Sequence, residues 1–282
     1  MLDRLLEPLQ YSFMIEALGM AALIGTVCAA MSCFLVLKGW SLMGDALSHA
    51  VLPGIVIAYI IGVPLSLGAF VSGFVCAGAT GWIKANSRIK EDTVMGVVFT
   101  GLFALGLVMF TKIETDVHLN HILFGSLLGI EYSEMIQALV ITSIAFLTII
   151  IYGRDLLLYC FDIGQAKVIG LNTTVIHYIF LALISATVVA SLQAVGIILT
   201  VAMLITPGCI GYMLCNSFWK MLGVAVGSSL ISSLVGTYIS YFINGSTGAC
   251  IVLTQSFIFF WVMIFAPRYG ILSTRLRLRQ VK

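Results

Sequence analysis

The sequence predicts an all-α, polytopic integral membrane helix bundle of about nine transmembrane helices. Three observations carry that expectation: an apolar composition that no soluble domain can cover, a series of apolar runs of bilayer length, and basic residues gathered in alternate connections. Of 282 residues, 61% are hydrophobic and only 9% charged, whereas an average soluble domain is about 25% charged. Mean hydropathy is +1.12. Lipid must therefore be the solvent for much of the surface. The net charge is only +2, with no long charge run and no alternation of aromatic and basic residues, so nothing supports a nucleic-acid partner.

A hydrocarbon core about 30 Å thick takes roughly 20 residues of helix. Runs of that kind occur near 13–37, 46–62, 64–83, 93–111, 134–152, 175–193, 195–214, 221–243 and 249–266. The first is too long for a cleaved signal segment. It follows a start more acidic than basic, so it is expected to remain as a span. The second and third meet at the uncharged turn Gly62-Val63-Pro64, and the third leads into Lys84, Arg88 and Lys90. After the fourth comes the acidic stretch 114–134, within which 117–130 is expected as an interfacial or re-entrant helix. Its Gly125 and Gly129 form a small-residue pair suited to close packing. The fifth run precedes Arg154 and Lys167. The eighth and ninth flank the uncharged turn 244–248, and the chain closes on Arg268, Arg275, Arg277, Arg279 and Lys282.

Cytoplasmic loops carry an excess of Lys and Arg. Placing all three basic segments inside is consistent with alternation through nine spans, and puts the N-terminus outside and the C-terminus in the cytoplasm. Linkers are short, so residues 1–282 read as one transmembrane domain with a basic cytoplasmic tail at 268–282. The seven cysteines lie mostly in apolar runs without paired spacing, and read as small packing residues. No G-x-x-x-x-G-K-[ST] phosphate loop occurs, nor H-E-x-x-H, nor G-x-S-x-G. The chain is expected to be non-catalytic, with any ATP hydrolysis on a separate chain.

An ionisable side chain at mid-membrane costs about 2.5–3.5 kcal/mol on insertion scales, which makes each one a functional candidate. The informative block is Ser41-Leu-Met-Gly-Asp45-Ala-Leu-Ser-His49-Ala-Val-Leu-Pro53-Gly54. Asp45 and His49 are four apart and share a helical face. A carboxylate with an imidazole suits a borderline divalent cation such as Mn²⁺, Fe²⁺ or Zn²⁺. Pro53 has no N–H to give the His49 carbonyl, and Pro207 likewise leaves the Met203 carbonyl free, a second candidate for a pathway lining. The same residues fit another reading, with Asp45 capping the second span and His49 buried and bonded to a neighbouring helix. One Asp and one His are too few ligands for a tight site, so the metal reading needs a second copy or other donors. Glu114, Asp116, His118 and His121, with Glu131 and Glu134, read either as an entrance that draws cations inward or as a solvated acidic loop. Glu16 joins them or snorkels to the interface. His177 opens the sixth span and is given no role.

On the cytoplasmic side, residues 161–172 read as a short, well-punctuated helix. Asp162 suits its N-cap with Gln165 completing a capping box, and Gly170 suits the left-handed position past its end. It is either a docking element or a passive turn.

The block from Ser41 to Gly54 resembles the second-span signature of the permease subunits of bacterial ABC-type importers for manganese, iron and zinc. His121-Ile-Leu-Phe-Gly125, Phe161-Asp162 with Ala166-Lys167 and Gly170, and Val201-Ala-Met-Leu-Ile-Thr-Pro207-Gly208 follow in that family's order. The first and last blocks are specific; the other two are weak alone. The resemblance spans roughly Phe13 to Pro267. It implies a type II ABC importer-like fold in the bacterial inner membrane, and a homodimer or a paralogous permease partner. It further implies two cytoplasmic ATPase subunits and an extracytoplasmic metal-binding protein. It also implies no permanently bound cofactor, with a divalent metal as the transported substrate, manganese or iron more than zinc. Asp45 and His49 would meet the cation in transit, while Phe161, Asp162, Ala166, Lys167 and Gly170 would couple to the ATPase. The rival is an ion-coupled secondary metal transporter, which needs more intramembrane carboxylates than this sequence offers.

Overall fold

The computed structural model of the chain describes residues 7–40, 42–112, 132–266 and 270. The expected re-entrant helix at 117–130 lies outside these residues, as do Glu114, Asp116, His118, His121 and the tail arginines. All regular structure described is helical. After a 3-10 turn at Glu7–Gln10 come α1 (Ser12–Lys38), α2 (Met43–Ala50), α3 (Leu52–Ile61), α4 (Leu65–Asn86) and α5 (Glu91–Phe110). Then follow α6 (Tyr132–Phe161), α7 (Ile163–Val168), α8 (Thr173–Leu214), α9 (Phe218–Ile243) and α10 (Thr247–Phe265).

Among the described residues eight segments are long and apolar enough to cross a membrane, with α2 and α3 together forming one of them. The longest, α8, makes two crossings. At 1.5 Å per residue a straight helix of its 42 residues would run about 60 Å, twice the hydrocarbon core. It is interrupted at Gly196, where φ is 79° and ψ 172°, a region almost closed to other residues. The start of α8 meets the end of α6, where His177 bonds Tyr159. Just past the end of α8, Cys215 lines a cavity of about 650 Å³ together with Leu37, Leu158 and Phe161. Both ends of α8 therefore lie at one end of the bundle. Its bend lies at the other, with the Val195 carbonyl 3.6 Å from where a Cβ on Gly248 would be. With α8 counted twice, the nine expected crossings are recovered.

α1 and α8 form the centre: α1 packs on α6, α8 and α9, and α8 also touches α2, α4 and α10. α5 packs only on α2, α3 and α4 among the larger contacts, and most of its surface is exposed. Helices that are apolar all round cannot be held together by burial from water, so small residues and hydroxyls set these contacts. Ser229 donates to the Gly25 carbonyl at 2.9 Å and Ser233 to that of Ala21 at 3.2 Å, joining α9 to α1. Gly54 and Gly68 bring α3 and α4 into backbone contact, and Gly106 of α5 lies over Pro53. Among the described residues the fully buried polar side chains are serines, threonines and Gln255, with no Asp, Glu, Lys, Arg or His.

Candidate functional site

α1 ends where Gly39 takes the left-handed conformation, with φ 76°. Gly39 N–H donates to the Val36 carbonyl and Trp40 N–H to that of Leu35 at 2.9 Å, a Schellman closure. The chain thus turns sharply into α2, which carries Asp45 in its first turn and His49 in its last. A carboxylate near a helix start and an imidazole near its end both suit the helix dipole.

The two side chains meet as the spacing predicts, with His49 Nε2 3.5 Å from Asp45 Oδ1. About a third of each is accessible, 32% for His49 and 39% for Asp45. The bonding partners of the alternative reading do not form. Leu42 occupies the N-cap of α2 with no side-chain cap bond, so Asp45 is not the cap. His49 is stacked on Phe99 at 6.2 Å and meets Phe103 edge-on at 5.3 Å, which are ring contacts to α5 rather than hydrogen bonds. His49 Nδ1 is buried without a hydrogen-bond partner among the described residues. No residue described therefore fixes the tautomer or raises the basicity of Nε2 as a firm metal site would. Nor do three or more potential His, Cys, Asp or Glu ligands gather anywhere among the described residues.

The helix that holds the pair is interrupted in hydrogen bonding but not in direction. Pro53 gives no N–H, yet Val51 keeps φ −71° and ψ −19°. The neighbouring Ala50 carbonyl takes the Ser72 hydroxyl at 2.6 Å from α4. Across from it, the second proline block reaches the same place: a Cβ on Gly44 would lie 3.1 Å from Leu204 Cδ1, so the two specific sequence blocks are in contact. Beside Pro207, Ser32 of α1 is bonded to the α8 backbone. Its hydroxyl donates to the Ile205 carbonyl at 3.1 Å and accepts from Gly208 N–H at 2.9 Å. The Met203 side chain is buried on the α1 side, near Gly25.

At the basic end, α7 is built largely as expected. Asp162 Oδ1 accepts from Gln165 N–H at 3.0 Å. Gly170 has φ 91° and the Leu171 N–H closes back to the Ala166 carbonyl at 3.1 Å. The reciprocal half of the capping box is not needed, because Asp162 N–H is already given to the Leu158 carbonyl at 2.9 Å. Ala166 is fully buried, while Phe161 is 79% and Val168 88% exposed. Lys167 and Asp162 are exposed too.

A cluster that sequence reasoning missed lies beside it. Tyr159 of α6 hydrogen-bonds His177 Nδ1 of α8 at 2.7 Å. Trp40 meets His177 edge-on at 6.0 Å and stacks on Phe180 at 5.8 Å. Lys38 Nζ sits 4.1 Å from the Tyr159 ring centre and 5.6 Å from that of Trp40. The one signal in the sequence was His177 itself, an ionisable group at the start of a span.

The sequence profile of the ABC 3 transport family matches residues 10–266. A Haemophilus influenzae strain Rd protein described as a probable iron transport system membrane protein is 56% identical over 92% of this chain and 96% of its own. The manganese transport system membrane protein MntB of Synechocystis sp. is 51% identical, over 98% of this chain and 90% of that one. Among solved structures, PsaBC from Streptococcus pneumoniae in complex with a Fab matches with a TM-score of 0.86 and 35% identity. It covers 99% of this chain and 100% of that one. Over nearly its whole length, in sequence and in fold, the chain belongs to the ABC 3 transport family, as a membrane permease subunit.

Proposed function

We propose that this permease subunit carries a divalent transition metal, manganese or iron before zinc, from an extracytoplasmic binding protein into the bacterial cytoplasm. The observation that carries this reading is the accessible Asp45–His49 pair, 3.5 Å apart on α2, in a bundle whose fully buried polar groups are otherwise uncharged among the described residues. Relatives described as iron and manganese transport proteins support the choice of cargo. One oxygen and one nitrogen donor bind too few sites of such an ion to hold it. A second permease subunit, identical or paralogous, is therefore assigned the remaining ligands, and a loosely held cation can leave as readily as it enters.

The exposed apolar residues Phe161, which ends α6, and Val168, which ends α7, fit a groove on a cytoplasmic ATPase, one for each permease. The basic end of the bundle is thus assigned to the cytoplasm and the Gly62, Gly196 and Gly248 end to the outside, with the N-terminus outside and the C-terminus inside. Family membership weighs against an ion-coupled secondary carrier. Asp45→Ala and His49→Ala variants, confirmed to insert and to bind the ATPase chain, are expected to lose radiolabelled Mn²⁺ and Fe²⁺ uptake by more than about tenfold. Wild-type uptake by both would refute the site.

A further inference from the structure

We propose that Tyr159 and His177, with Trp40 and Lys38, form the joint that carries movement of α7 to the helix bearing Asp45 and His49. The inference rests on the reading of α7 as the ATPase-docking segment. It begins from how little holds α7. Of its six residues only Ala166 is buried, and its principal packing partners are α6 and α8. A displacement of α7 must therefore leave through the ends of those two helices.

Those ends are joined by a side-chain hydrogen bond. Tyr159 lies in the last turn of α6, and its hydroxyl is bonded at 2.7 Å to His177 Nδ1 in the second turn of α8. From the pair, ring contacts lead on toward α2. His177 meets the edge of Trp40 at 6.0 Å, and Lys38 lies over both the Tyr159 and Trp40 rings. Trp40 is only 5% exposed, so it cannot slip aside without repacking Phe180, on which it is stacked. Its carbonyl accepts the Met43 N–H at 3.1 Å, the first residue of α2, and Asp45 follows two residues later. On its other side the imidazole faces Gly81 of α4, where an added Cβ would lie 3.3 Å from His177 Nε2. Packed contacts of this kind transmit a shift because they move as a unit rather than deform. Tyr159, His177 and Trp40 are positioning residues in this scheme, since none touches the metal pair.

The test reconstitutes the permease, its ATPase chain and its binding protein in liposomes, and reads Mn²⁺ uptake and ATP hydrolysis in the same vesicles. Tyr159→Phe removes one hydroxyl and leaves the ring under Lys38. It is expected to assemble and hydrolyse ATP as the unmodified protein does, while Mn²⁺ delivered per ATP falls about fivefold or more. His177→Asn keeps an amide where Nδ1 lies but loses the ring against Trp40, and is expected to lower the same ratio. An unchanged ratio in both variants overturns the proposal. So does a loss of uptake that only parallels lost assembly, which is what a purely structural role gives. Val168→Asp is run alongside to separate the two claims. If it binds the ATPase and transports normally, the docking reading of α7 fails and takes this inference with it. If it loses the ATPase while Tyr159→Phe and His177→Asn transport at the normal ratio, only the joint fails.

Discussion

Ser32 shows how much one hydroxyl can settle in a bundle without water. Pro207 cannot donate to the Met203 carbonyl, and the helix around it would be left with unpaired groups in hydrocarbon. Ser32 does not serve that carbonyl; it takes the Gly208 N–H and bonds the Ile205 carbonyl, holding the backbone on either side of Pro207. Ser32→Ala should cost about 1 kcal/mol, the scale of an intramembrane hydrogen bond. Gly208→Ala should cost more, about 1–3 kcal/mol from overpacking, because its Cβ would lie 2.6 Å from the Ser32 backbone carbonyl oxygen as well as against the hydroxyl. The ordering follows from the backbone contact: Ser32→Ala removes the clash with the hydroxyl but not the one with backbone, so the double variant should stay less stable than Ser32→Ala alone. Thermal unfolding in detergent measures all three, and a double variant that recovers the stability of Ser32→Ala would contradict the account. The Asp45–His49 pair was legible in the sequence at this same scale, because a four-residue spacing fixes a shared helical face. Its aromatic wall of Phe99 and Phe103 was not, because nothing in the spacing of α5 says which side meets α2.

Among the elements, α8 makes the same division between what apolar runs encode and what they hide. The change from one crossing to the next was readable within about two residues, since bilayer thickness limits how far a helix can continue. What the sequence did not show is that the reversal depends on one backbone conformation, Gly196 at φ 79° and ψ 172°. Thr200 supports it by donating its hydroxyl to the Gly196 carbonyl at 2.8 Å. An alanine there is held in a region costing about 1–3 kcal/mol, and the second half of α8 carries the Leu204 contact to Gly44. Gly196→Ala is therefore expected to lower the unfolding midpoint and to weaken Mn²⁺ uptake together. Gly223→Ala, where a Cβ meets nothing within 4 Å, should do neither. Equal behaviour of the two variants would show that the bend tolerates a side chain. The pairing of α1 with α8 was hidden for a related reason, since both are largely apolar all round, whereas α9 does mark its buried face with Ser229, Ser233 and Thr237 at four-residue spacing.

For the whole molecule, the distribution of apolar surface separates what lipid covers from what a partner must cover. Exposed side chains such as Val97 of α5 and Leu253 of α10 lie within apolar spans, where acyl chains are an adequate solvent. Phe161 and Val168 are equally apolar and just as exposed, but they are the last residues of α6 and α7, at the basic end, where water would be their neighbour. Burying a side chain of this size from water is worth about 1.5–3 kcal/mol, so two of them give a partner a reason to dock without any ion pair. Ala166 serves the opposite purpose: it faces the bundle and is fully buried, so its replacement by Asp would disturb the seat of α7 rather than its outer face. Val168→Asp and Phe161→Ala should therefore reduce co-purification of the ATPase chain while the unfolding midpoint of the isolated permease stays unchanged. Ala166→Asp should lower both. Should Val168→Asp retain full ATPase binding, the apolar outer face of α7 is not where the ATPase docks.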